Sequence, residues 1–292
     1  MTSQVMGSPR PVGYALAVSA LPDGSRFGSL LRSFRAARRL SQLEMALAAG
    51  ISTRHLSCLE TGRAGPSREM VVLLAGVLDL SLRDRNVLLQ AAGFVPIYTE
   101  SDLADPALAA IRSSIEFLLE RHAPYPAVLV DRTWTVRLFN APAIAVLARF
   151  VADPALLAGP LNLMRLLFDP AGSRPFIVNW EEVASMMIER LHREAASAAG
   201  DDASRGLLNQ LLAIKGVTSD WRRPRLSVDP SFMVPLRLSR GDCEIALYSA
   251  ITTLGTPQDV TLQELRLETF LPADAASDRA LRSMVEASAP SP

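Results

Sequence analysis

Lys215 is the only lysine in 292 residues, and there are only two cysteines, three histidines, three tryptophans and four tyrosines. The cysteines, Cys58 and Cys243, lie far apart, so neither a disulfide framework nor a cysteine metal site is expected. A reducing cytoplasm fits that usage. His55, His122 and His192 do not cluster, and the chain shows no nucleophile motif, metal-ligand spacing or phosphate-cradling glycine loop. The chain is therefore read as no enzyme, with no catalytic and no metal-binding residue. No apolar run reaches the ~18 residues of a membrane span. No basic cluster followed by an apolar stretch marks a signal peptide.

What is present is unevenly placed. Net charge is zero. Between Arg26 and Ala92, however, ten arginines face five acids, a net charge of +5, which leaves −5 on the rest. A basic segment on an otherwise acidic chain is the footprint of a nucleic-acid contact. With 49% hydrophobic residues the chain can build two ordinary cores.

The basic segment contains two short helical patterns joined by a tight turn. Ser41 is a good N-cap and Glu44, three residues on, completes a capping box. Leu43, Ala46 and Leu47 give the first helix an apolar face. Gly50 supplies the freedom of a sharp turn. Ser52 caps the second helix, Ile51, Leu56 and Leu59 point inward, and Thr53, Arg54, Ser57 and Cys58 are left outside. Gly62 closes it. This is the spacing of a helix-turn-helix, whose second helix enters the major groove. Helices are expected on both sides: Phe27, Leu30, Leu31 and Phe34 stripe one before it, and Ser67 caps another after it. A fifth helix runs from Leu82 to Ala92.

Leu40-Ser41-Gln42, Ala48, Gly50-Ile51-Ser52, Leu56, Leu59-Glu60-Thr61-Gly62-Arg63 and Pro66-Ser67 resemble the Xre/Cro-type helix-turn-helix. The contact set that follows is Gln42, Ser52, Thr53, Arg54, Ser57, Cys58, Thr61, Arg63 and Arg38. Gln42 would donate to a phosphate near a helix start. Arg54 could grip a guanine, worth roughly 1–3 kcal/mol of discrimination. Thr61, Arg63 and Arg38 would touch the backbone. Cys58 stands where the family commonly has a bulkier residue. The resemblance also implies a partly buried ion pair between Arg35 and Glu60 that ties the first helix to the third.

Beyond a linker, Asp105 caps a helix begun by Pro106. The period then changes. Ala127–Val130 and the alternation of Trp134, Val136 and Leu138 read as strands. Asn140 and Pro142 start a helix, and helical stretches follow at Asn162–Phe168, from Pro175 to about Ala199, and from about Ser204 to Ile214. Strands return at Phe232–Leu238, Cys243–Thr253 and Val260–Phe270. The fold class is thus α followed by α+β: a five-helix helix-turn-helix domain, then a PAS-like antiparallel sheet with helices. The expected organisation is a flexible arm (1–25), the DNA-binding domain (26–93), a linker (94–105), a ligand-binding and dimerisation domain (106–272) and a flexible tail (273–292).

His122-Ala123-Pro124-Tyr125-Pro126-Ala127, Val130-Asp131-Arg132-Thr133-Trp134, Asn140, Asn162-Leu163-Met164-Arg165 and Asn179-Trp180 resemble the ligand-binding domain of MmyB-like transcription regulators. That resemblance implies a bacterial regulator that can hold a fatty-acid-like ligand; no other cofactor is expected. The ligand set is Arg165, Trp134, Leu138, Asn140, Met164, Phe168 and Trp180. Several bland roles compete. Asn140 and Asn162 sit where N-caps sit. Trp134 and Trp180 suit a core, and Asp131-Arg132 a hairpin turn. Arg165 is a charge on an apolar helix and needs a partner, either a ligand carboxylate or an acid such as Glu181. Met164, Leu166, Phe168, Met186, Met187 and Met233 are long, adaptable residues that suit an acyl chain.

The expectation is a cytoplasmic, nucleoid-associated homodimer that binds a palindromic double-stranded operator, with no membrane contact, modulated by a small apolar ligand. The alternative is a ligand-independent dimeric regulator whose C-terminal domain only dimerises.

Overall fold

The computed structural model describes residues 23–197, 202–222 and 233–288. The chain forms two compact units. Among the described residues, the first comprises 23–102, 196–197 and 256–263, and the second holds the rest.

Among the described residues up to Asp102, the first unit has five helices: α1 (Asp23–Ala37), α2 (Gln42–Ala48), α3 (Thr53–Glu60), α4 (Arg68–Val77) and α5 (Leu82–Ala91). Ser41, Ser52, Ser67 and Ser81 cap the last four through their hydroxyls, and Ser41–Glu44 forms the expected capping box. Phe27, Leu31, Phe34, Leu56, Leu59, Leu74 and Leu88 build one core. The apolar face of α2 is not the expected one. Met45 and Ala46 are buried, while Leu43 and Leu47 stand 58% and 70% exposed. The expected arm lies outside the described residues, except that Asp23–Ser25 already belong to α1. The linker is tied down: Asn86 Oδ1 accepts from the Ile97 and Tyr98 amides, and its Nδ2 donates to the Tyr98 carbonyl.

Val260–Phe270 is not one strand. Val260–Glu264 forms a short helix, α11, and the strand begins only at Arg266. Asp259 caps α11 through the Leu262 amide and accepts from Thr99 Oγ1 (2.8 Å) and the Ser101 amide (3.0 Å). The Val260 amide donates to the Thr99 carbonyl, and Gln263 Oε1 accepts from the Leu82 amide. These partners lie some 160 residues away in sequence, which no local alternation reveals.

The second unit is a five-stranded, all-antiparallel sheet in the order β2-β1-β5-β4-β3. Its strands are β1 (Ala127–Val130), β2 (Val136–Phe139), β3 (Leu236–Arg240), β4 (Cys243–Thr252) and β5 (Arg266–Pro272). Its helices are α6 (Ala109–Arg121), α7 (Ala141–Phe150), α8 (Leu163–Phe168), α9 (Trp180–Ser197), α10 (Asp202–Leu212) and α12 (Ala275–Ser288). Asn140 and Asn162 cap α7 and α8, and Asp105 caps the 3-10 turn before α6. β3 begins at Leu236; Phe232 lies outside the described residues.

Ala275–Ser288 of the expected tail form a helix that belongs to the fold, and the last four residues lie outside the described ones. Leu281 of α12 is 1% exposed, and Ser277 Oγ accepts from the Ala246 amide of β4 at 2.9 Å. The composition of that stretch suggests solvation, but its apolar positions Leu281 and Met284 fall on one helical stripe and pack in the Phe150–Ile245 cluster.

Candidate functional site: a DNA-reading helix and an apolar cavity

The turn between α2 and α3 rests on Gly50, whose φ is 65°, the left-handed region that glycine enters at no steric cost. The Ile51 amide then closes onto the Ala46 carbonyl. This sets α3 with Leu56 and Leu59 fully buried and Arg54 exposed; Thr53, Ser57 and Cys58 are half-buried beside it. Ser52 Oγ accepts from the His55 amide, so its role is the cap. Thr61 is exposed, and its hydroxyl donates back to the Ser57 carbonyl at 2.7 Å. Arg63 is exposed just past the helix end.

Two of the expected phosphate contacts are engaged inside the fold. Arg38 donates from Nε to the Leu78 carbonyl and from a terminal nitrogen to the Asp79 carbonyl, both at 2.9 Å, so it closes the C-terminal end of α4. Gln42 donates its amide to Glu60 Oε2 at 2.8 Å. The reason is Glu60, whose side chain is fully buried and must have its charge matched. Arg35 does so in a two-pronged pair, Nε to Oε1 at 2.6 Å and the second nitrogen to Oε2 at 2.9 Å. Arg32, half exposed, stands 3.6 Å from the same carboxylate. Burial pushes the Glu60 carboxyl up, but hydrogen bonds from Arg35 and Gln42 and the charges of Arg35 and Arg32 outweigh it and hold the group below the usual carboxylate range. The expected α1–α3 ion pair is therefore present, with Gln42 as a third member that the sequence did not reveal.

Gly28 was not singled out either. A Cβ there would sit 2.5 Å from the Glu60 carbonyl oxygen and 2.6 Å from that of Leu59. Only glycine lets α1 approach the end of α3 so closely.

In the second unit the strands and helices line a partly open apolar cavity of about 370 Å³. Of the expected ligand set, Trp134 and Met164 line it. Leu166, Met186, Met187 and Met233 line it as well, whereas Phe168 does not. Trp134 is held at φ 64°, a strained conformation for a bulky residue. It is pinned by its amide to the Asp131 carbonyl and by its carbonyl to the Leu163 amide. Asp131 organises that turn, accepting from the Thr133 and Thr135 amides, and Arg132 pairs with Glu264 at 3.3 Å.

The other expected ligand residues have structural work. Asn140 is buried and accepts from the Ala127 and Ala143 amides while donating to the Leu119 and Tyr125 carbonyls. Leu138 is half-buried on β2 and is not in the cavity wall. Trp180 donates to the Leu167 carbonyl and stacks against Phe168, Trp221 and the Arg174 guanidinium. Arg165 is exposed, donates to Gln210 Oε1 at 2.7 Å and does not reach the cavity. That partner is Gln210 rather than Glu181, and on the six-residue α8 the arginine falls on the outward face, between the buried Met164 and Leu166.

The polar groups in the wall were missed. They are Ser173, Ser249 and Glu268, and Glu268 is 5% exposed. Burial pushes its carboxyl above the usual range, against a hydrogen bond from Ser249 and the charges of Arg190 and Arg266. The sequence signal was an acid at an inward position of an alternating strand.

A recognition helix with its outer face exposed, on a five-helix core, defines a helix-turn-helix DNA-binding unit; joined to it is a domain that holds an apolar cavity. Residues 26–88 match the family described as helix-turn-helix domain. Residues 111–284, more than half of the chain, match the MmyB-like transcription regulator ligand binding domain. The chain belongs to the MmyB-like transcription regulators, and it is a DNA-binding regulator, not an enzyme. Among curated relatives it is similar to the ImmF control region 10 kDa protein of Bacillus phage phi105, 38% identical over 60 residues that make up 20% of this chain and 67% of that protein. Among solved structures it is similar to the clp gene regulator ClgR from C. glutamicum, at 36% identity and a TM-score of 0.23 over 25% of this chain and 92% of that one. It is also similar to the restriction-modification controller protein C.AhdI from Aeromonas hydrophila, at 32% identity and a TM-score of 0.21 over 22% and 96%.

Proposed function

We propose that the protein is a ligand-responsive, homodimeric regulator that reads a palindromic operator in the cytoplasm, associated with the nucleoid, and that its second, PAS-like domain both dimerises and holds a small apolar molecule with an acyl-like chain. The observation that carries the ligand reading is the cavity: about 370 Å³, apolar, and lined by long flexible side chains such as Met164, Met186 and Met187. Pockets of this size and lining are where small ligands bind. Burying a dozen methylenes at ~0.8 kcal/mol each would contribute up to several kcal/mol after ordering costs. The DNA reading places Arg54 on base edges, with Thr53, Ser57 and Cys58 beside it, and Arg63 on the phosphates. A dimer would set two copies of α3 about one helical turn apart.

Native mass spectrometry of the purified full chain tests both parts together. A dimer carrying a retained small molecule of a few hundred daltons is the expected result. A dimer that carries nothing and takes up no apolar probe would leave a pure dimerisation module, and a monomer would remove the palindrome.

A further inference from the structure

Glu268 is the only ionisable side chain among the described residues that line the cavity. It lies on β5 between Val128 of β1 and Ile251 of β4 in the sheet register, with Phe270 two residues on in the same wall. Ser249 of β4 lines the same wall near its carboxyl, and the charged groups facing it are Arg190 and Glu194 of α9 and Arg266 of β5. Those three are already closed on one another. Glu194 Oε1 is 2.6 Å from Arg266 and 2.9 Å from Arg190, and both guanidiniums lie over the Trp134 ring, whose Nε1 donates to Glu194. None of the three belongs to the cavity wall.

A carboxylate facing an apolar space with no cation among the described residues of the wall is costly, and such a group takes a proton instead. A protonated carboxyl offers one O–H donor besides its acceptor positions. Ser249, in the same wall, can donate to an acceptor position, which leaves the acid proton for something else.

We propose that Glu268, with Ser249, is the polar end of the cavity, and that the ligand is an uncharged amphiphile whose hydroxyl or carbonyl oxygen accepts a hydrogen bond from the Glu268 carboxylic acid. This rests on the ligand-binding reading above and names the head group that the reading leaves open. A ligand carboxylate would bring an anion into a wall whose described residues carry no cation. A ligand ammonium would require Glu268 to ionise and would bury an ion pair, whose desolvation offsets most of its attraction.

The test uses the full chain and three probes of one chain length, 1-decanol, decanoate and decylamine, read by thermal shift and by titration calorimetry at neutral pH. Wild-type protein is expected to bind 1-decanol roughly tenfold or more tighter than decanoate, about 1.4 kcal/mol. E268Q, which keeps a neutral donor, should retain 1-decanol within a few-fold, and E268L should lose about tenfold; circular dichroism confirms that each variant is folded. The wild-type comparison stands even if a variant does not fold. Decanoate binding as tightly as 1-decanol would overturn the head-group assignment while leaving the sensor intact. Decylamine binding tightest would overturn it in favour of an ionised Glu268. If no probe binds, the ligand reading itself falls.

Discussion

At the scale of single residues, the DNA-reading face separates two kinds of arginine. Arg54 and Arg63 are exposed, whereas Arg35 and Arg38 are bonded within the fold. Arg54→Ala should therefore relax sequence preference, and Arg63→Ala should weaken all sequences about equally and flatten the salt dependence. Competition binding against specific and random DNA at several salt concentrations checks this; equal loss on both for Arg54→Ala would remove its base-reading role. Glu60 makes a different prediction. Its carboxyl is depressed in the folded protein, and an unfolded glutamate titrates near ~4.3. Its contribution to stability is complete above that value and is lost as pH falls through the lower, folded one. Urea unfolding of the wild type should show this acid loss, and Glu60→Gln should lack that component. The variant should also be less stable at neutral pH by about 3–5 kcal/mol, because Arg35 is left with an unmatched charge.

At the scale of elements, two contacts decide packing. Gly28→Ala would gain up to ~1 kcal/mol of helix propensity, but the added carbon would meet backbone oxygens that cannot rotate away. Overpacking of this kind costs about 1–3 kcal/mol, so the clash wins and thermal melting should fall. An unchanged or raised melting temperature would show that α1 slides freely on α3. Truncation after Ala273 removes α12, exposes the seat of Leu281 and leaves the Ala246 amide without Ser277. Lower stability and binding of a hydrophobic dye are expected; a melting curve like that of the intact chain would restore the free-tail reading.

These two units were legible to different depths. Caps such as Ser41, Ser52, Asn140 and Asn162 were readable because their bonds span three residues. The strands β1 and β4 were readable from apolar and alternating runs. What failed depended on distant partners. The Val-Thr-Leu-Gln-Glu run alternates like a strand, yet Asp259 and Thr99 fix it as a helix. On the seven-residue α2, apolar residues occupy most of the surface, and only the neighbours decide that Met45, not Leu43, is buried. Arg165 and Glu268 show the same limit at the ligand site. The first looked like the anchor because apolar residues surround it in sequence; the second is the acid in the wall because five strands bring it there.

At the scale of the whole molecule, a ligand in the second unit matters to transcription only if it binds two states of the protein unequally. A molecule with equal affinity for both states shifts nothing, however tightly it binds. If the sensor reading holds, linkage then demands symmetry: the factor by which a probe changes operator affinity equals the factor by which the operator changes probe affinity. Such coupling is typically worth roughly 5- to 150-fold. Fluorescence anisotropy of an operator duplex, with and without saturating 1-decanol, gives the first factor. Titration of 1-decanol into the free protein and into its operator complex gives the second. Equal factors different from one are the expected result, and in Glu268→Leu the coupling should shrink in step with the lost affinity while Arg54 continues to set sequence preference. Tight probe binding with both factors equal to one would mean that the cavity is filled as part of the fold and that the second unit serves only to pair two DNA-reading helices.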